Sequence, residues 1–154
     1  MITLAIPGRK TIQISHIALD FNGTIAFDGT VQPEVATQIR QLSQAVSVVV
    51  LTADTYGTAR RQCAELGVDV RAFTGEAASE KRAIVASLDG KVACVGNGFN
   101  DIAMCDAADF SVGVLDGEGM CPELLNHVDV LARSSAEALA LFLNTDRLRA
   151  TLRP

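Results

Sequence analysis

The chain has 154 residues, 49% apolar and 20% charged, a balance that lets one domain bury a substantial core. Its net charge of −5, with Lys and Arg scattered, excludes a dedicated nucleic-acid or anionic-membrane binder, since those surfaces need clustered cations. No apolar run approaches the length of a bilayer span, and residues 1–8 lack the basic and apolar regions of a secretion signal. Cys63, Cys94, Cys105 and Cys121 form no C-x-x-C pair and no metal spacing, so reduced thiols in a cytoplasmic protein are expected, with Cys94 in the core.

In chain order, residues 2–6 and 11–15 around Pro7-Gly8 read as an edge hairpin, followed by a first central strand over 17–20. Residues 24–31, turning at Asp28-Gly29, suggest a short β-flap. Pro33 opens a helix to about residue 44, with Val35, Ile39 and Leu42 inward. The valine-rich run 46–51 suits a strand of a parallel sheet covered on both faces. A loop over 52–55 leads into a helix over about 56–66 that stops at Gly67.

A strand over 68–73, a helix over 76–88 with Ile84, Val85 and Leu88 inward, and a strand over 92–95 come next. The glycine-rich loop 96–100 runs into a helix over 101–107, then a strand over 110–114, a loop over 117–122 and a short strand over 128–131. Ser134 and Ser135 look like the N-cap of one last helix to about residue 148, with Arg147, Arg149 and Arg153 near its negative end. Alternating strands and helices predict one three-layer α/β domain over residues 1–154, with right-handed crossovers. His16, His127 and the acids Asp106, Asp109, Asp116 and Glu118 read as structural or solvated groups.

Four stretches carry chemistry. Asp20-Phe21-Asn22-Gly23-Thr24 begins at the end of the first central strand, Thr52 follows the second, Lys81 lies on the third helix, and Gly96-Asn97-Gly98-Phe99-Asn100-Asp101 follows a later strand. A carboxylate at such a strand end is delivered to the rim where open α/β sheets bind ligands. It is a competent nucleophile on phosphorus, and a hydroxyl and an ammonium suit the charge that spreads over phosphoryl oxygens in the transition state. Thr52 and Lys81 are the candidates for those two roles. Backbone N–H groups of Gly23 and Thr24 are candidates for an anion-binding nest.

In order and context these pieces resemble the haloacid dehalogenase superfamily of phosphohydrolases and phosphotransferases. More narrowly, Leu51-Thr52-Ala53-Asp54, Glu80-Lys81 and Val95-Gly96-Asn97-Gly98-Phe99-Asn100-Asp101 are similar to the phosphorylation domain of P-type ATPases, in a stand-alone form. The resemblance implies a Rossmann-like, mainly parallel sheet with a β-flap. It implies an aspartyl-phosphate on Asp20 and phosphate contacts from Gly23, Thr24 and Ala53. It also implies Mg²⁺ held by Asp20, Asp101, the main-chain carbonyl of Asn22 and Asn97, with Asp54 and Asn100 behind them. About 30 residues separate Asp20 from Thr52, and as many separate Thr52 from Lys81. Neither interval leaves room for a cap domain, and a bulky substrate or a second copy of the chain would have to cover the open site.

Two departures bear on activity. Asn22 stands where hydrolases of the family carry a second Asp, and Asn97 where the first acid of the fourth motif is usual. An amide cannot shuttle a proton, so turnover is expected to be slow and Mg²⁺ binding weakened. Two readings stay open: a slow phosphohydrolase or phosphotransferase acting on a phosphorylated small molecule or phosphoprotein, and a catalytically impaired phosphate- or partner-binding protein.

Overall fold

The computed structural model describes residues 1–54 and 57–154; the expected helix start at residue 56 and the loop position 55 lie outside the described residues. Six parallel strands form the centre: β2 (Ile12–Asp20), β5 (Ser47–Thr52), β6 (Asp69–Ala72), β7 (Lys91–Gly96), β8 (Phe110–Val114) and β9 (Val130–Ala132). Their spatial order is β6-β5-β2-β7-β8-β9, and β1 (Ile2–Leu4) pairs antiparallel with the start of β2. The flap is a separate two-stranded ribbon, β3 (Ala26–Phe27) and β4 (Thr30–Val31), turning through Asp28 and Gly29, both with positive φ. This is the expected α/β class, with no cap inserted among the described residues.

Strand alternation sorts the core into two layers. Ile17, Leu19, Val48, Val50, Ala93 and Val95 face one side, covered by α1 (Pro33–Leu42), α2 (Ala59–Leu66), α5 (Ser135–Leu143) and α6 (Asp146–Leu152). Ala18, Val49, Leu51, Val92 and Cys94 face the other, covered by α3 (Ala77–Ser87) and α4 (Ile102–Ala107). A strand buried on both faces has no need of polar alternation, so these stretches read as continuous apolar runs. Val35, Ile39 and Leu42 are the buried stripe of α1, as expected.

Several boundaries differ from the sequence reading. The second hairpin arm and the first central strand are one nine-residue strand, β2. Its pairing with β7 shifts register between Ile14 and His16, and Ser15 turns its hydroxyl to the Lys91 carbonyl at 3.1 Å. That irregularity accommodates two polar residues inside a strand. The last helix is two: α5 ends at Leu143, Asn144 leaves helical geometry, and α6 begins at Asp146. Residues Pro122–His127, expected partly as loop, form 3₁₀ turns.

The acids expected to be solvated all have partners. Asp106 meets His127 Nδ1 at 2.7 Å, and Asp109 accepts from the Val92 N–H. Asp116 caps Ser135, and Glu118 accepts from the flap residue Asp28. His16 Nε2 sits 2.6 Å from the Asp89 carbonyl.

Because β5 and β7 lie on opposite sides of β2, the chain reverses direction across the sheet at β2. A crevice at the carboxyl ends of strands follows from that reversal.

Candidate active site

Asp20 is the last residue of β2, Thr52 the last of β5, and the 96–101 loop leaves β7, so three strand ends bring their polar residues to one crevice. The cleft encloses about 220 Å³; Asp20, Asn22, Thr52, Lys81, Asn97 and Asn100 supply its polar side chains, with Phe73 and Ala77 on an apolar wall. Asp20 is the one acid in that lining among the described residues.

Lys81 reaches in from α3 and is 2% exposed. Its ammonium lies 2.6 Å from Asp20 Oδ1, 2.6 Å from Asp101 Oδ1 and 2.8 Å from Asn100 Oδ1, so all three of its N–H donors are taken. Burial draws the Lys81 ammonium down, but the two carboxylates outweigh that and hold it above its ordinary value. Asp20 moves the other way: burial first, then the like charge of Asp101, push it up to about 6 against the pull of Lys81.

Asp101 is fully buried and its oxygens are occupied. Oδ1 takes Lys81, while Oδ2 accepts the N–H groups of Asn97 at 3.0 Å and Gly98 at 2.8 Å. Asp101 therefore shapes the loop and anchors Lys81. Gly96 belongs to the same arrangement, since a Cβ there would meet the Asp101 carboxyl at 2.6 Å.

The 20–24 turn departs from the expected anion nest. Gly23 N–H donates to the Ala26 carbonyl and Thr24 N–H to the Phe21 carbonyl, because the turn closes on itself to enter the flap. Those two groups are not available to an anion. Gly23 matters sterically instead: its φ is +77°, and a Cβ would come within 2.3 Å of Asn97 Nδ2. Thr24 acts through its hydroxyl, 2.9 Å from Asp20 Oδ2 and 3.1 Å from Asn97 Oδ1; its single proton serves one of them at a time.

Asp54, with positive φ, donates its N–H to Thr52 Oγ1 at 2.8 Å and accepts the Ala59 N–H at the start of α2. With its oxygen already accepting, the Thr52 hydroxyl keeps its proton for a group in the cleft. Ala53 lines the cleft beside it.

Sequence reasoning placed a loop after β8 but missed that it holds Asn97. Gly119 offers its carbonyl to Asn97 Nδ2 at 3.0 Å, and Cys121 N–H bonds the Asn97 carbonyl at 2.8 Å. The Gly117-Glu118-Gly119 pattern was its signal.

For a divalent cation, the donors are hard oxygens, as Mg²⁺ prefers. The Asn22 side-chain oxygen is buried without a partner, and Asn97 Oδ1 and Asp20 share Thr24. Both Asp101 oxygens are engaged by Lys81, Asn97 and Gly98, which leaves Asp20 as the carboxylate of that donor set.

No family model matches the chain. Over 112 residues it is 33% identical to a copper-exporting P-type ATPase of Staphylococcus saprophyticus, a stretch covering 70% of this chain and 14% of that relative. The chain thus spans about a seventh of that relative's length. The cobalt-bound deoxy-D-mannose-octulosonate 8-phosphate phosphatase of Haemophilus influenzae superposes with a TM-score of 0.72 at 17% identity, over 92% of this chain and 94% of that one. The corresponding phosphatase of Moraxella catarrhalis, in complex with magnesium, phosphate and KDO, gives 0.68 at 17% identity, over 91% and 94%. No helix among the described residues is long and apolar enough to cross a membrane. The chain thus shares the fold of solved HAD-family hydrolases, and P-type ATPases are among its sequence relatives.

Proposed function

We propose that the chain is a slow, capless phosphohydrolase or phosphotransferase that works through an aspartyl-phosphate on Asp20. The observation that carries this reading is a buried carboxylate at a strand end, bonded to Lys81 and Thr24, in a cleft whose lining holds no other acid.

A carboxylate oxygen of Asp20 attacks phosphorus, and the bond from phosphorus to the leaving oxygen breaks. The leaving group departs with its electron pair and takes a proton from solvent. Lys81 and the Thr52 hydroxyl stabilise charge on the equatorial oxygens. Water then attacks the acyl phosphate, releasing inorganic phosphate and restoring the carboxylate. With Asn22 in place of an acid, neither half-reaction has general acid–base help from that position, which is worth about 10²–10⁴-fold.

Mg²⁺, when bound, would supply positive charge opposite the phosphoryl oxygens. Asp20, the Asn22 carbonyl and the Asn97 amide oxygen would hold it, with Asp101 at one remove behind Lys81 and the loop. The magnesium in the Moraxella phosphatase and the cobalt in the Haemophilus one support a divalent metal, and their KDO 8-phosphate chemistry supports a phosphorylated small-molecule substrate. A phosphoprotein is the alternative substrate. A second copy of the chain, or the substrate itself, would close the capless cleft.

The test is turnover of p-nitrophenyl phosphate with Mg²⁺ by wild type, Asn22→Asp and Asp20→Asn, beside binding of BeF₃⁻. The expected result is slow wild-type turnover, a gain of about 10²–10⁴-fold in Asn22→Asp and none in Asp20→Asn. No turnover by any of the three, with no BeF₃⁻ bound to folded wild type, overturns the enzyme reading in favour of a phosphate-independent binding protein.

A further inference from the structure

The larger cavity of this molecule lies at the other end of the sheet. It encloses about 490 Å³, against about 220 Å³ for the catalytic cleft, and its lining includes Ile12, Lys91 and Phe110, the first residues of β2, β7 and β8. Its volume falls in the range of small-molecule sites.

The floor is apolar and rigid. Ile6 and Phe110 are buried in the main core cluster, and Ile12 packs against that cluster from a half-buried position. The rim carries three cations, Arg9, Lys10 and Lys91, and two acids, Asp109 and Asp129.

The acids are fixed by the sheet. Asp109 Oδ2 accepts the Val92 N–H at 2.9 Å, and Asp129 Oδ2 accepts the Ser111 N–H at 2.9 Å. Each directs its remaining oxygen to one cation: Lys91 lies 2.7 Å from Asp109 Oδ1, and Arg9 lies 3.8 Å from Asp129 Oδ1. Lys10 has no ion-pair partner among the described residues, and its charge leaves the rim with a net +1 on a chain of net −5.

An apolar floor beside one uncompensated cation matches an apolar body carrying one negative charge. The two fixed acids disfavour a multiply charged anion such as a free phosphate. We propose that this cavity is a second binding site, independent of the catalytic reading, for a small monocarboxylate with an aromatic or branched apolar body. The apolar body would lie against Ile6, Ile12 and Phe110 while the carboxylate meets Lys10 and the loosely paired Arg9.

The test uses the full chain and 3-phenylpropionate as probe, followed by calorimetry and by amide chemical shifts. Phenethylamine (the same body with the opposite charge), propionate (the charge without the body) and inorganic phosphate are the controls. Saturable binding of 3-phenylpropionate is expected in the submillimolar to millimolar range, with shifts at residues 6, 10, 12, 91 and 110 and none at 20–24 or 97–101. Lys10→Glu and Lys10→Gln alter an exposed side chain, so both variants retain the fold. The Glu variant should weaken binding roughly tenfold or more by replacing an attraction with a repulsion near the surface.

Absence of saturable binding overturns the proposal. So does equal binding of phenethylamine or phosphate, unchanged affinity in Lys10→Glu, or shifts confined to the catalytic cleft. None of these outcomes touches the phosphoryl-transfer reading, which is tested by turnover.

Discussion

Lys81→Met keeps the volume of the side chain and removes the ammonium that stands 2.6 Å from two buried carboxylates. Removing one partner of a buried ion pair costs about 3–5 kcal/mol. Here proton uptake limits the loss. Burial and the neighbouring Asp101 already push Asp20 up to about 6 in the folded protein, against 3.8 as its ordinary value. Without Lys81, the lower-cost response at neutral pH is for Asp20 to hold a proton. At pH 7, above that value, holding the proton adds a cost on the order of 1 kcal/mol.

Asp101 keeps its two backbone N–H bonds but loses its cation. Together these place the expected loss at about 3 kcal/mol, the lower end of the range.

The sign with pH follows from proton counting. The folded variant binds a proton that the unfolded chain lacks, so its stability falls as pH rises. Below pH 6 wild type and variant both carry that proton and this component vanishes; above it the difference grows by about 1.4 kcal/mol per pH unit until the variant's own titration point. Urea unfolding of both proteins in EDTA, from pH 5.5 to 8, measures it. A loss under about 1 kcal/mol at pH 7, well below the expected range, or a loss that does not change with pH, would refute the reasoning.

Gly23→Ala should destabilise by more than about 1 kcal/mol in thermal melts, because φ is +77° and the added Cβ would meet Asn97 Nδ2 at 2.3 Å. A neutral result would show that Asn97 moves aside freely. In native protein at pH 8 a thiol reagent should find one fast group, Cys121, because Cys63, Cys94 and Cys105 are buried and burial, then Asp54, push the Cys63 thiol up to about 11. Two or more fast thiols would contradict that packing. Asn97→Asp should add a carboxylate to the metal donors, and Mg²⁺ should then raise the melting temperature more than in wild type; an equal rise in both proteins would place the cation elsewhere.

The parallel layer was legible because buried strands such as Val48–Val49–Val50 carry no polar alternation, and the convergence of Asp20 and Thr52 was legible because each stands at the end of such a run. The continuity of β2 through Ser15 and His16 was not legible, since the register shift that tolerates them depends on the neighbouring strand. The break at Asn144 had a signal in the polar run Asn144-Thr145-Asp146, which the reading of one continuous helix passed over.

At the site, residue types revealed which groups gather but not which atoms are already engaged. Asp101 looks like any loop acid until Lys81, Asn97 and Gly98 are seen to occupy it. Gly23 and Thr24 look like a nest until the flap claims their N–H groups. Such assignments depend on how a turn closes on itself within three or four residues and, for Lys81, on a contact 20 residues away, neither of which residue type alone reveals.

The fully occupied ammonium of Lys81 has a further consequence. On the proposed reading, a phosphoryl oxygen reaching Lys81 would find no idle N–H on it, unlike at the Thr52 hydroxyl, and would have to displace an oxygen that the protein itself presents. The neutral Asn100 amide at 2.8 Å is the least costly of the three to dislodge, since the other two are carboxylates. On that reading, ligand capture would be an exchange reaction in which Asn100 competes with the incoming oxygen for Lys81.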